Sequence, residues 1–221
     1  MIELGTTYRR RLLDADLARV TAGLGGRVLD VGGRRRARGH FRLPSGVAAT
    51  RVNLDPGAGP DVVADAQALP VRSESADWVM CVETLEYVEA PDRAASELVR
   101  VLRPGGRAVV SVPFLHRADA PTDRHRFTET RLRELLDKAG FVVVEIRAQG
   151  RFFTTLANML RQATAAVRSR PLRWALAAGT VPLGATLLWL DRLGAVGRSR
   201  FLGSFTTGFL ALARKPAGRR P

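Results

Sequence analysis

Arg27-Val28-Leu29-Asp30-Val31-Gly32-Gly33 reads as a short buried strand that ends in a carboxylate and a glycine turn. In open α/β sheets ligands bind outside the carboxyl ends of the strands, and glycine lets the backbone approach them closely. The chain then repeats the arrangement. A second strand, Arg51-Val52-Asn53-Leu54, runs into Asp55, and Asp65-Ala66 follows. The apolar strand Ala76–Val82 leads into Glu83-Thr84-Leu85-Glu86. After a helix come Arg103-Pro104-Gly105-Gly106 and the strand Ala108–Pro113. Any one of Asp30, Asp55 and Glu83 is as readily a turn or capping residue. At successive strand ends, in this order, they point to a ligand site, and a carboxylate such as Asp55 can accept both hydroxyls of a ribose diol.

This succession resembles the class I S-adenosylmethionine-dependent methyltransferases, in particular the small-molecule and ubiquinone-type group, over residues 26–148 and 204–214. The resemblance implies S-adenosylmethionine as cofactor. Asp30, Gly32 and Gly33 would lie near its methionyl part, Asp55 on the ribose hydroxyls, and Asp65 and Ala66 beside the adenine. Glu83 opens the segment after the fourth strand, with Tyr87 where the family usually has histidine. The Arg103–Gly106 turn and Asp123-x-x-Arg126-Phe127-Thr128 are also familiar from this group. One departure stands out: where the family has another glycine, this chain has Arg34, the start of Arg34-Arg35-Arg36-Ala37-Arg38. The implied fold is α/β, a doubly wound Rossmann-like sheet of seven strands. Its last strand, within 205–214, inserts antiparallel beside Phe141–Arg147. The expected organisation is an N-terminal helical cap (1–25), a methyltransferase domain (26–149 and 204–214), a basic, apolar helical insertion (150–203) and a basic tail (215–221). A nicotinamide-binding domain would need Gly-x-Gly-x-x-Gly opening a helix, a spacing that Gly32–Ala37 lacks. Pro44 and Gly46 leave room for only a short or irregular first crossover helix.

Methyl transfer from a sulfonium is an in-line displacement. The protein must hold donor and acceptor in line, exclude water and, for a hydroxyl acceptor, remove a proton. His116, on the loop after the fifth strand, is a candidate base because imidazole titrates near neutrality. A locally bonded loop histidine is the plainer alternative, and Tyr87 and Glu86 stand at the other lip. Arg126 either braces the loop through Asp123 or binds an acidic group of the substrate. Thr128 reads as the N-cap of a helix over Arg131–Ala139 that Gly140 ends. The expected activity is O-methylation of a small molecule or a lipid-linked glycan. The alternative is a non-catalytic, membrane-associated scaffold whose cofactor site has degenerated at Arg34.

The 221 residues, 46% of them hydrophobic, suit one domain with an elaboration. Met1–Asp16 has no apolar signal core, which predicts a cytoplasmic protein. The lone Cys81 falls in a buried strand, and the three histidines form no ligand-spaced cluster, so no metal is expected. Charge is lopsided. Of the net +14, residues 151–221 carry +11, with Asp191 their one acid, and the first 150 residues carry only +3. Such a patch suits nucleic acid or an anionic membrane surface. Nucleic acid is not expected, because stacking aromatics are not interleaved with the charges.

Trp174–Leu190 is a run of 17 residues without a charge. As a helix it would reach about 25 Å, short of the roughly 30 Å hydrocarbon core. Gly179, Pro182 and Gly184 favour a kink or a reversal near its middle, and Trp174 and Trp189 stand at its ends, as at membrane interfaces. Upstream, Phe152, Phe153, Leu156, Met159, Leu160, Ala163 and Val167 recur at helical spacing opposite Thr154, Asn158, Arg161 and Gln162, an amphipathic pattern. Because the flanking strands share one sheet, a single membrane crossing between them is excluded. Residues 150–203 should therefore lie on a bilayer, dip in and return, or pack as a helical cap or dimer contact.

Overall fold

Strands covered on both faces read as nearly continuous apolar runs. β1 (Val28–Val31), β4 (Ala76–Val82) and the second half of β5 (Leu102–Pro113) come close to this, and they form the middle of the sheet in the computed structural model. The structure describes residues 6–36, 39–118 and 120–217. Ala37, Arg38 and Asp119, together with residues 1–5 of the expected cap and 218–221 of the basic tail, lie outside the described residues.

With β2 (Ala49–Asn53), β3 (Val62–Val63), β6 (Val142–Ala148) and β7 (Gly208–Arg214), the sheet has seven strands in the order β3-β2-β1-β4-β5-β7-β6. β1 pairs in parallel with β2 and β4, and β4 with β5. β7 is antiparallel to both of its neighbours, β5 and β6. The chain runs outward from β1 to β3, then returns to lay β4 on the other side of β1. That switch point opens a crevice at the carboxyl ends of β1 and β4.

Alternation along the strands divides the core into two layers. Val79 and Val110 face α2 (Pro91–Val101) and α3 (Glu129–Ala139), packing with Leu98, Leu132 and Leu136. Trp78, Met80 and Val109 face the opposite way, onto Leu13, Leu17 and Val20 of α1 (Tyr8–Val20). The Thr128 hydroxyl caps α3 by accepting from Arg131 N at 3.2 Å, and Gly140 ends it at φ +101°.

Pro44 and Gly46 predict a short or irregular helix between β1 and β2; among the described residues there is none. The Arg103–Gly106 turn differs from expectation. It is a bulge inside β5: pairing with β4 jumps from Ala76 opposite Leu102 to Trp78 opposite Arg107. Gly105 N donates to Lys215 O and Lys215 N to Gly106 O, so the bulged backbone keeps its partners just beyond β7.

Between β6 and β7 lie α4 (Phe152–Ala166), α5 (Arg170–Leu190) and α6 (Gly194–Arg198). Asp191, at the end of α5, accepts from the backbone N–H groups of Arg151, Phe153 and Thr154. It therefore caps the start of α4, which sets the two helices antiparallel. Of the kink or reversal expected near Pro182, the reversal does not occur, and α5 runs through the proline as one helix. Proline removes one backbone hydrogen bond, but Ala177, Gly184 and Leu187 stay buried along one side, and that packing holds the helix together. At Gly184 α5 passes so near α1 that a Cβ would overlap the Tyr8 hydroxyl.

Candidate active site

A cleft of roughly 1160 Å³ opens at the carboxyl ends of β1, β2 and β4. Asp30, Gly32, Gly33 and Asp55 line it from the β1 and β2 side, and Asp65, Ala66, Glu83 and Tyr87 from the other. Gly32 has φ +79°, and a Cβ there would overlap the Thr84 hydroxyl. That hydroxyl lies within 3.2 Å of Val31 O and 3.1 Å of Val82 O, two acceptors for its one proton. At Gly33 a Cβ would meet the Asp30 carboxylate. The turn thus presents bare backbone to the cleft. Asn53 holds it from β2, donating Nδ2 to the carbonyls of Gly32 (2.9 Å) and Gly33 (3.0 Å).

The three aspartates differ in what their surroundings leave them. Burial pushes the Asp30 carboxyl up to about 6, with Arg51 opposing the shift and Asp61 adding to it. Asp55 is half-exposed. Its Oδ1 accepts from Gly57 N at 2.8 Å, and its Oδ2 is 3.5 Å from the Arg34 guanidinium. A carboxylate offers about four lone-pair positions, so Asp55 still has capacity for a diol. Gln67 fixes Asp65 by donating its backbone N and side-chain amide to it, while its own Oε1 accepts from Ala90 N at 2.8 Å.

Glu83 follows β4 in the left-handed region, at φ +54°, a conformation that a non-glycine residue keeps only where its surroundings impose it. The surroundings are visible. Its side chain forms an ion pair with Arg9 of α1 and accepts from the Ser111 hydroxyl at 2.8 Å. Arg9 is itself held by Thr207 O, 3.1 Å from its Nε, and its backbone N donates to Asn158 Oδ1 of α4. Burial would raise the Glu83 carboxyl, but Arg9 and the Ser111 hydroxyl outweigh it and hold Glu83 below the ordinary carboxylate range. Glu86, buried one turn on, goes the other way: burial first, and then the Glu83 charge, push it well above its ordinary value.

His116 and Arg126 are not among the cleft-lining residues, although Thr122 and Arg124 of the same loop are. Arg126 binds Asp123 through both guanidinium nitrogens and also donates to the carbonyls of His125 and Arg117. That is the bracing arrangement. Sequence reasoning missed Asn53, Thr84 and Arg9. Arg9 had a signal, because it shares a helical stripe with Leu13, Asp16 and Val20 and so faces inward with them. Asn53 had a weaker one, a residue disfavoured in strands standing at a strand end.

A family model described as a methyltransferase domain matches residues 46–110. The chain is 32% identical over 145 residues to the demethylmenaquinone methyltransferase of Renibacterium salmoninarum, covering 61% of this chain and 60% of that protein. It is 50% identical over 50 residues to the malonyl-(acyl-carrier protein) O-methyltransferase of Methylococcus capsulatus, covering 23% of this chain and 18% of the other. The chain thus spans less than two thirds of the length of these curated relatives. A solved S-adenosylmethionine-dependent methyltransferase from Archaeoglobus fulgidus superposes with a TM-score of 0.57 at 17% identity, covering 93% of this chain and 94% of that one. The cyclase SpnF superposes with a TM-score of 0.55 at 22% identity, over 93% and 80% of the two chains. Likeness at this level speaks for the fold alone.

Proposed function

We propose that the chain, which resembles the class I S-adenosylmethionine-dependent methyltransferases, methylates an oxygen of a small molecule or of a lipid-linked glycan. The observation that carries this reading is the convergence of Asp30, Asp55 and Asp65 on one cleft whose floor is the bare backbone of Gly32 and Gly33. S-adenosylmethionine supplies a methyl group already activated on a sulfonium. The residues present fit it. Asp30 would face its cationic methionyl part, Asp55 retains acceptor capacity for two ribose hydroxyls, and Asp65 and Ala66 would flank the adenine. A lipid-linked acceptor would be consistent with the helices between β6 and β7, which adjoin α1, itself tied to the site through Arg9, and turn apolar side chains outward.

Proton removal from a hydroxyl acceptor is proposed for His116, which shares with His125 the loop that brings Thr122 and Arg124 to the cleft wall and would have to turn toward the cleft when the acceptor binds. Arg9 and Ser111 keep the Glu83 carboxylate fixed, so that the carboxyl end of β4 is set before the acceptor arrives. The scaffold alternative drew on Arg34. That side chain reaches Asp55 at 3.5 Å without exhausting its lone pairs, so it gives no ground for a site that has lost its cofactor.

Calorimetry with S-adenosylmethionine and its demethylated product tests the reading. Asp55→Ala should weaken cofactor binding by about 10- to 100-fold, because hydrogen bonds to a charged group contribute about 1.5–3 kcal/mol. Absence of binding by the unmodified protein at millimolar cofactor would overturn the enzyme reading. Once a metabolite screen supplies an acceptor, His116→Ala should lower turnover about 10²- to 10⁴-fold with cofactor binding kept. Full activity would reject the base and leave catalysis to positioning.

A further inference from the structure

A helix packed on a water-soluble core normally turns its apolar stripe inward. α4 instead turns a polar stripe inward beside Ala157, Phe153 and Leu160. Thr154, Thr155, Asn158, Arg161 and Thr164 are buried, while Leu156 and Met159 stand 37% and 48% exposed. The inward polar groups are engaged: Arg161 Nε donates to Thr6 O at 2.8 Å, Asn158 accepts from Arg9 N, and the Thr164 hydroxyl meets that of Thr180. α5 continues the pattern. Leu172, Leu176 and Leu183 are exposed, and so are Trp174 and Trp189 near its two ends. This outward surface is not merely apolar. Arg168, Arg170, Arg192, Arg198 and Arg200 are exposed around it. The one carboxylate between residues 150 and 203, Asp191, is 5% exposed and committed to capping α4.

We propose that the α4–α5 unit docks on the surface of an anionic lipid bilayer, with its apolar side chains seated in the interface and the arginines against lipid headgroups. Charge decides the occupant. In a two-fold contact with a second copy, the same patch meets itself, and these arginines would face arginines with no exposed acid to receive them. Crossing is ruled out for the described residues, since none of their helices is long and apolar enough to span a membrane. Both ends of the unit also return to adjacent strands of one sheet. A helix pair lying in the interface satisfies all three observations.

Flotation of the full chain tests this, with vesicles of phosphatidylcholine alone and of phosphatidylcholine with phosphatidylglycerol. Binding should rise with the anionic lipid and fall partly at high salt, because only its electrostatic part is screened. Arg168→Gln and Arg170→Gln should each weaken it about five-fold, the equivalent of roughly 1 kcal/mol per arginine near such a surface. The triple variant M159Q/L176Q/L183Q should lose binding at every salt concentration. It should keep its melting temperature, since all three side chains are exposed. Tryptophan emission of the unmodified protein gives a second reading. Trp174 and Trp189 should shift to the blue on anionic vesicles, while Trp78 lies in the core and should not respond. Equal binding to neutral and anionic vesicles would overturn the proposal, as would a protein that never floats. So would a dimer in light scattering that the triple variant dissociates, which would give the face to a second copy. None of these outcomes bears on cofactor calorimetry, so methyl transfer stands or falls separately.

Discussion

Asp30 sits where two demands on one carboxyl conflict. Its folded-state value of about 6 lies above the ordinary 3.8, so the folded protein holds this proton more tightly than the unfolded chain. The sign follows from linkage: stability falls as pH rises from about 4 to about 6, then levels off. A cationic ligand needs the opposite, because only the ionised form attracts it. Cofactor affinity should therefore weaken as pH drops through about 6, measurable by calorimetry between pH 5 and 7.5. Asp30→Asn should raise the melting temperature at pH 7, lose that gain near pH 4, and bind cofactor poorly at both. A variant that melts lower than the unmodified protein at pH 7 would show that the ionised carboxylate is held by contacts that outweigh its burial.

At the scale of elements, the ion pair between Arg9 of α1 and Glu83, just after β4, ties the N-terminal helix to the site. Both side chains are mostly buried, so removing one partner leaves the other charge without compensation. Arg9→Met should destabilise the protein by about 3–5 kcal/mol, whereas Arg9→Met combined with Glu83→Gln should recover most of that loss. Urea unfolding of the two single variants and the double variant would give the coupling. Additive losses would mean that the helix is held by Leu13 and Leu17 instead.

The same pair marks where sequence reading stops. β1, β4, the Thr128 cap and the strand-end acids are local, with apolar runs, a capping hydroxyl and carboxylates at fixed offsets, and they could be read directly. Arg9 and Glu83 are 74 residues apart, and their contact exists only because α1 packs across the sheet. The bulge at Arg103–Gly106 was hidden for a similar reason: its backbone partners lie at Lys215, far along the chain. For α4 the amphipathic pattern was legible, but which face turns inward depends on what α1 and α5 offer it. That the polar stripe is the inward one, satisfied by Arg9 and Thr6, belongs to tertiary structure.

For the whole molecule, the dominant asymmetry is that a nearly neutral α/β domain carries its excess charge on one appendage, inserted between two strands of its own sheet. β7 lies between β5 and β6, although the chain makes it after both. Such long-range pairing is slow to form. During translation β5 and β6 therefore leave the ribosome with no strand between them, and α4 and α5 follow before residues 208–214 can close the gap. The nascent chain presents its outward-facing leucines and tryptophans while the sheet is still open, so in the cell a bilayer or a chaperone can meet this polypeptide before the finished fold exists.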